Sequence, residues 1–235
     1  MWIKICGNTN LEDAKLAAEL GADAVGFIFA ASKRKMTAAQ VGAIARELPE
    51  NVERIGVFDS HDAEEIAFLA KEAGLNAVQL HGGFDEALLQ QLPAKLAGSG
   101  IRLIQTLHWA VGDSAQDAVA MVVDIEQRME RVTALGTDRV LIDSKVGASP
   151  SGGTGITFDW AAARTLFNSA PAGLRIIAAG GLKPDNVAAA IAELAPFGVD
   201  VSSGVEASVG RKDRARVAQF IENARAAASP DTGVR

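Results

Sequence analysis

Residues 174–194 read LRIIAAGGLKPDNVAAAIAEL: an apolar, β-branched run, a glycine pair, and a segment from 184 onward whose apolar residues return at helical spacing. Such a unit is a strand that turns into a helix. The same pattern recurs in both directions along the chain. Upstream runs are WIKIC at 2–6, AVGFIF at 24–29, RIGVF at 54–58, AVQL at 77–80, RLIQTL at 102–107 and RVLID at 139–143, and VDVSS follows at 199–203. Helix-spaced residues lie between them, such as Leu11, Ala14, Leu16, Ala17 and Leu20. The order is strand, helix, eight times.

Near-continuous apolar strands joined by helical crossovers form a parallel sheet covered on both faces. Right-handed crossovers leave an open doubly wound sheet or a closed barrel. Eight units in 235 residues match the barrel, whose usual length is roughly 250 residues. No G-x-G-x-x-G follows the first strand and no G-x-x-x-x-G-K-[ST] occurs, which removes the nucleotide loop an open sheet would carry. The sequence predicts an α/β protein with a single (β/α)8, or TIM, barrel over residues 1–228. The closing ASPDTGVR is small and polar, so residues 229–235 are expected to fray.

Lys and Arg number 23 against 29 Asp and Glu, a formal charge of -6. No general attraction to nucleic acid or anionic membrane is expected, and any bound anion must be gripped locally. The single cysteine excludes an internal disulfide framework and a multi-thiolate metal cluster, and suits a reducing cytosol. No apolar stretch reaches the roughly 18 residues of a membrane helix, and Lys4 interrupts the N-terminal run. The expectation is a cytoplasmic protein.

Barrels of this kind place their chemistry at the carboxyl ends of the strands. The residues there are Cys6, Arg34 in the loop after the second strand, Phe58, Gln79 with His81, His108, Asp143 with Lys145, the pair Gly180 and Gly181, and Ser203 with Gly204. Cys6 could act as nucleophile, as general base, or as a small buried hydrophobe. A base would want its pKa lowered by nearby Lys, Arg or a helix terminus. Asp143 ends an apolar strand, where a carboxyl tends toward a raised pKa and can serve as general acid, or it could cap the following loop. Strands one and six lie across the mouth from each other. Two titrating groups facing over a pocket suit a reaction that gives a proton on one side of a substrate and takes one on the other.

SGGTG at 151–155, AAGG at 178–181 and SSGVE at 202–206 follow strands six, seven and eight. Glycine lets backbone N–H groups approach an anion, and such barrels often hold phosphate there. A small phosphorylated substrate follows. Arg34, in SKRK, could pair with a substrate carboxylate or belong to a solvated basic cluster. His81 and His108 fit packing better than metal ligation, since two imidazoles of unknown direction do not make a site. His61 is expected to face solvent.

The residues KICG at 4–7, GADAVGFIF at 21–29, IGVF at 55–58, VQLHG at 78–82, GGTGITFDW at 152–160, AGGLKPDNV at 179–187 and GVDVSSGVE at 198–206 resemble the phosphoribosylanthranilate isomerase family of tryptophan biosynthesis. The likeness runs in order through nearly the whole chain. It implies an Amadori rearrangement of N-(5-phosphoribosyl)anthranilate to the corresponding 1-deoxyribulose phosphate, with no cofactor and no metal. It implies Cys6 as general base and Asp143 as general acid. It implies Arg34 on the anthranilate carboxylate, Asp200 near the amino nitrogen, and the backbone of Gly155, Gly180, Gly181, Ser203 and Gly204 around the phosphate.

The chain has Ser32, Lys33, Arg34 and Lys35 where the family reads Ser-Pro-Arg and an aromatic residue, so it departs at Lys33 and Lys35; without the proline the loop loses a restraint on φ. The long stretch between strands five and six is expected to extend an outer helix. Alternatives are a related phosphosugar isomerase of histidine biosynthesis, one serving both pathways, or a non-catalytic phosphate-binding barrel. The histidine-pathway and dual enzymes resemble one another in pairing aspartates at strands one and six, whereas this chain has Cys6. A monomer and a homodimer both remain open.

Overall fold

The computed structural model describes residues 1–110, 115–145 and 160–228. Strand β1 (Trp2–Ile5) leads to helix α1 (Leu11–Glu19), β2 (Ala24–Ile28) to α2 (Ala38–Ala45), β3 (Glu53–Phe58) to α3 (Ala63–Glu72), and β4 (Ala77–Leu80) to α4 (Glu86–Lys95). The second half continues with β5 (Arg102–Ala110), α5 (Ala115–Ala134), β6 (Arg139–Lys145), α6 (Trp160–Asn168), β7 (Arg175–Ala179), α7 (Val187–Leu194), β8 (Gly198–Val201) and, after a short hairpin, α8 (Arg214–Ala228). Each strand pairs in parallel with the next, and β8 closes on β1 with Lys4 opposite Asp200.

The pleat sorts each strand's side chains between two cores. Ala24, Ile55, Ala77, Ile104, Leu141 and Ile177 point inward and plug the barrel against Trp2. Their neighbours Val25, Phe27, Val78 and Val140 point outward under the helices. On α7 the covering face is Val187, Ala190, Ile191 and Leu194, and on α8 it is Val217, Phe220, Ile221 and Ala224. These are the helix-period positions that the sequence predicts. At the amino end of the barrel Glu53 binds both Arg102, at 2.6 Å, and the fully buried Arg139, at 2.8 Å. Among the described residues five helices start on side-chain caps, namely Asn10, Thr37, Asp62, Asp85 and Asp213. These caps satisfy the first N–H groups of the helices.

Several boundaries differ from the sequence reading. β5 runs on to Ala110 and β6 to Lys145, because the two pair through His108 and Asp143. β8 stops at Val201 and not at Ser203; the chain turns into a 3-10 segment, Ser203–Val205. Gly204 there packs so tightly that a Cβ would lie 2.0 Å from the carbonyl oxygen of Leu182. The antiparallel hairpin β9 (Glu206–Ser208) and β10 (Arg211–Lys212) follows, which no alternation announced. On α1, Ala14 and Ala17 are buried, but Leu16 lies off the face and Asp13 is buried in its place. α5, at 20 residues, is the outer extension the long fifth connection implies. The SGGTG loop and the tail 229–235 lie outside the described residues.

Candidate active site

Cys6 follows β1 directly, its N–H donated to Val201 O at 2.8 Å, so the thiol opens at the carboxyl end of the barrel. The chain then needs room to turn. Gly7 has φ +73, and a Cβ there would meet Ser202 Oγ at 2.7 Å and Arg34 Cδ at 2.9 Å. Asn8 is wholly buried and holds the turn by donating Nδ2 to Ile5 O and to Gly26 O. The opening CGN is therefore a turn around which other loops pack.

Beneath the thiol the barrel interior is polar. Lys4 Nζ, with no exposed surface, donates to Gln79 Oε1 at 2.8 Å and to Asp200 Oδ2 at 3.1 Å, and Gln79 Nε2 passes on to Thr106 Oγ1 at 3.1 Å. Asp200 Oδ1 is buried and accepts no hydrogen bond among the described residues. A Cβ on Gly26 would lie 2.7 Å from Cys6 Sγ and 3.0 Å from Lys4 Cε, so glycine is what admits the thiol and the ammonium side by side.

Burial pushes the Cys6 thiol up, and Asp200 adds to this; Lys4 and Lys212 pull it back without cancelling the rise. The sequence argument for a lowered pKa thus meets a correction: the neighbouring cations are present, but desolvation outweighs them. For Lys4 burial acts downward and is overcome by Asp200 and Cys6, so its pKa is raised and it stays an ammonium.

Arg34 does reach the mouth, but its first partner is a residue of the protein. Its Nε donates to Glu206 Oε1 at 2.7 Å and its Nη2 to Glu206 Oε2 at 2.5 Å. Glu206 also accepts from Lys212 Nζ at 3.2 Å, and the same ammonium donates to Cys6 O at 2.6 Å and Ser202 O at 3.2 Å. Neither Glu206 nor Lys212 stood out in the sequence. Glu206 is the last residue of GVDVSSGVE, a motif whose glycine and serines drew the attention, and Lys212 resembles any surface lysine.

Asp143, on β6, is partly exposed, with Oδ2 4.0 Å from Nδ1 of His108, its register partner on β5. The His108 ring stands edge-on to His81 at 4.8 Å, and its Nε2 lies 3.0 Å from His81 O. A carbonyl only accepts, so Nε2 is assigned the proton. Candidate ligand atoms of His81, His108 and Asp143 lie within 4.8 Å of one another. Zinc bonds of about 2.0–2.2 Å in a tetrahedron need ligands closer than the 4.0 Å His108–Asp143 gap, so the three as placed are not a preformed metal site. Phe58 turns away from the mouth and stacks on Phe29 in the outer core at 4.5 Å, because strand parity puts it on the opposite face. His61 is exposed, as expected, and pairs with Asp85 at 2.7 Å.

Gly180 and Gly181 take φ +89 and +63 between β7 and α7, and the 3-10 turn of Ser203 and Gly204 packs against that loop. The N–H groups of Gly181, Ser203 and Gly204 meet no acceptor among the described residues. Backbone donors from two adjacent loops thus remain available at one rim of the mouth. Gly155 lies outside the described residues.

A sequence profile of the family described as N-(5'phosphoribosyl)anthranilate (PRA) isomerase matches residues 3–223. A relative from Pelobacter propionicus, named N-(5'-phosphoribosyl)anthranilate isomerase, is 41% identical over 231 residues, covering 98% of each chain. Among solved structures, phosphoribosyl anthranilate isomerase from Thermotoga maritima superposes with TM-score 0.77 at 35% identity, covering 96% of this chain and 99% of that one. Another isomerase structure, in complex with reduced 1-(o-carboxyphenylamino)-1-deoxyribulose 5-phosphate, superposes at 0.75 with 33% identity and the same coverage.

Proposed function

The chain belongs to the N-(5'-phosphoribosyl)anthranilate isomerase family, an isomerase of tryptophan biosynthesis, and from that premise we propose that Cys6 and Asp143 carry its two proton transfers. Asp143 gives a proton to the furanose ring oxygen, and the ring opens to a Schiff base. Cys6 then takes the proton from the adjacent sugar carbon, and the resulting enolamine relaxes to the ketone. General acid and base each contribute roughly 10²–10⁴-fold to such a reaction.

The observation that carries this reading is the disposition of β1 and β6 around one barrel mouth, with an arginine and two donor-rich glycine loops on the same rim. Cys6 acts as the thiolate. Burial raises the thiol's pKa, so its proton passes to solvent before the transfer, and Lys4, Lys212 and the cationic Schiff base stabilise the thiolate that then takes the carbon-bound proton.

Arg34 holds the anthranilate carboxylate. Asp200, paired with Lys4, accepts from the amino nitrogen through Oδ1. Gly180, Gly181, Ser203 and Gly204, together with Gly155, bind the phosphate through backbone N–H groups. The protein acts as a monomer or a homodimer, and a reducing cytoplasm keeps the lone thiol available.

The test generates the labile substrate in situ from anthranilate and phosphoribosyl pyrophosphate with a coupled transferase and follows fluorescence. Cys6→Ser and Asp143→Asn are each expected to lose at least about a hundredfold in rate. A Cys6→Ser variant as fast as the parent would reduce the thiol to a packing residue.

A further inference from the structure

The Arg34 side chain reaches the mouth from a loop with no proline, on a long flexible stem, and something must aim it. A guanidinium offers five N–H groups on two usable edges: Nε with Nη2 at the side, and Nη1 with Nη2 at the end. Glu206 occupies the side edge with both carboxylate oxygens, at 2.7 and 2.5 Å. That fork fixes the guanidinium plane as well as its position, and it leaves the end edge as the one a ligand carboxylate can meet.

Glu206 is itself held. Its side chain is 5% exposed and that of Lys212 is wholly buried. The three N–H groups of Lys212 are spent on Glu206, on Cys6 O at the end of β1 and on Ser202 O after β8. Two cations share one carboxylate, so this group keeps one uncompensated positive charge, the complement of a single ligand carboxylate. The hairpin that carries both residues is pinned by the segment that follows the neighbouring β1 and by α8. Thr9 Oγ1 donates to Gly210 O at 2.6 Å, Lys212 N to Asp13 Oδ2 at 2.9 Å, and Arg216 Nη1 to Glu206 O at 2.7 Å. Gly7 completes the channel for the arginine stem, since a Cβ there would lie 2.9 Å from Arg34 Cδ.

We propose that Glu206, anchored by Lys212, is a positioning residue that presents the end edge of Arg34 to the substrate's carboxylate, so the hairpin after β8 sets recognition of the aromatic acid half of the substrate. This rests on the reading that Arg34 binds that carboxylate. Burial would push the Glu206 carboxyl up, but Arg34 and Lys212 more than offset it, and it stays ionised.

The test compares two stable ligands: the reduced carboxyphenylamino deoxyribulose phosphate, and its phenylamino counterpart without the carboxylate. Their affinities are measured by calorimetry for the parent protein, Arg34→Ala, Glu206→Gln and the double variant of those two. Misplacing a binding group by about an ångström can cost up to about a hundredfold. Glu206→Gln is therefore expected to weaken the carboxylated ligand by about ten- to a hundredfold and leave the other within about twofold. It should add nothing in the Arg34→Ala background. With true substrate it should raise KM far more than it lowers kcat.

If Glu206→Gln folds poorly, Glu206→Gln/Lys212→Met removes the buried opposite charges together and should show the same selective loss. Equal weakening of both ligands, full additivity with Arg34→Ala, or no weakening at all overturns the proposal. An Arg34→Ala variant with no selective loss overturns the Arg34 reading and this proposal with it, and a parent protein that neither binds nor turns over fails at the level of the isomerase function.

Discussion

Lys4 Nζ lies 3.1 Å from Asp200 Oδ2 across the seam where β8 closes on β1, with the ammonium shielded from solvent and the carboxylate 11% exposed. The pair sits directly under Cys6, on an apolar plug. Removing one partner of a buried pair leaves an uncompensated charge, which costs about 3–5 kcal/mol. Lys4→Met should lose about that much in urea unfolding, and Lys4→Met/Asp200→Asn should recover part of it. A single-variant loss below about 1 kcal/mol would contradict the pairing.

The same ammonium favours the thiol's ionisation without cancelling the effect of burial. Iodoacetamide alkylation of Cys6 should rise with pH and have its midpoint above the ordinary thiol value of about 8.5, because burial dominates. Lys4→Met, which still leaves Asp200 nearby, should move the midpoint higher and slow alkylation at any fixed pH below it. A midpoint at or under the ordinary value would show that the cations prevail over desolvation.

Two glycines should separate catalysis from binding. Gly26→Ala drives a Cβ to 2.7 Å from Cys6 Sγ and 3.1 Å from Cys6 Cα. Its main effect should fall on kcat, by about a hundredfold. Gly7→Ala strains a residue at φ +73 and crowds Arg34, so KM should rise more than kcat falls. Steady-state kinetics on both variants decides this, and identical kcat and KM changes in the two would refute the assignment.

Glu206 should make stability depend on acid. Burial raises its carboxyl and the two cations lower it further, for a net folded pKa below the ordinary 4.5. The unfolded chain therefore binds the proton more tightly, and the contribution is fully present above the ordinary value and lost as pH falls through the folded one. In denaturant titrations the gap between the parent protein and Glu206→Gln should be constant near neutrality and shrink below about pH 4.5. A gap that widens on acidification would reverse the sign.

Much of this protein was written locally. The alternation of apolar β-branched runs with helix-spaced residues is a short-range pattern, so the eight βα units, the covered faces of α7 and α8, and the placement of Cys6, Arg34 and Asp143 at strand ends could be read from order alone. The tertiary structure decided how charges are used, because a buried Lys, Glu or Asp has the same letters as a solvated one and its partner lies far away in sequence. Arg34 meets Glu206 across 172 positions, Lys4 meets Asp200 across 196, and Lys212 meets Cys6 across 206. Closing the barrel brings β8 and its hairpin beside β1, and only that closure turns five ordinary charged residues into the floor and wall of the site. It also decided parity: Phe58 ends a strand at the mouth yet faces the outer core, since successive side chains on a strand point to opposite sides.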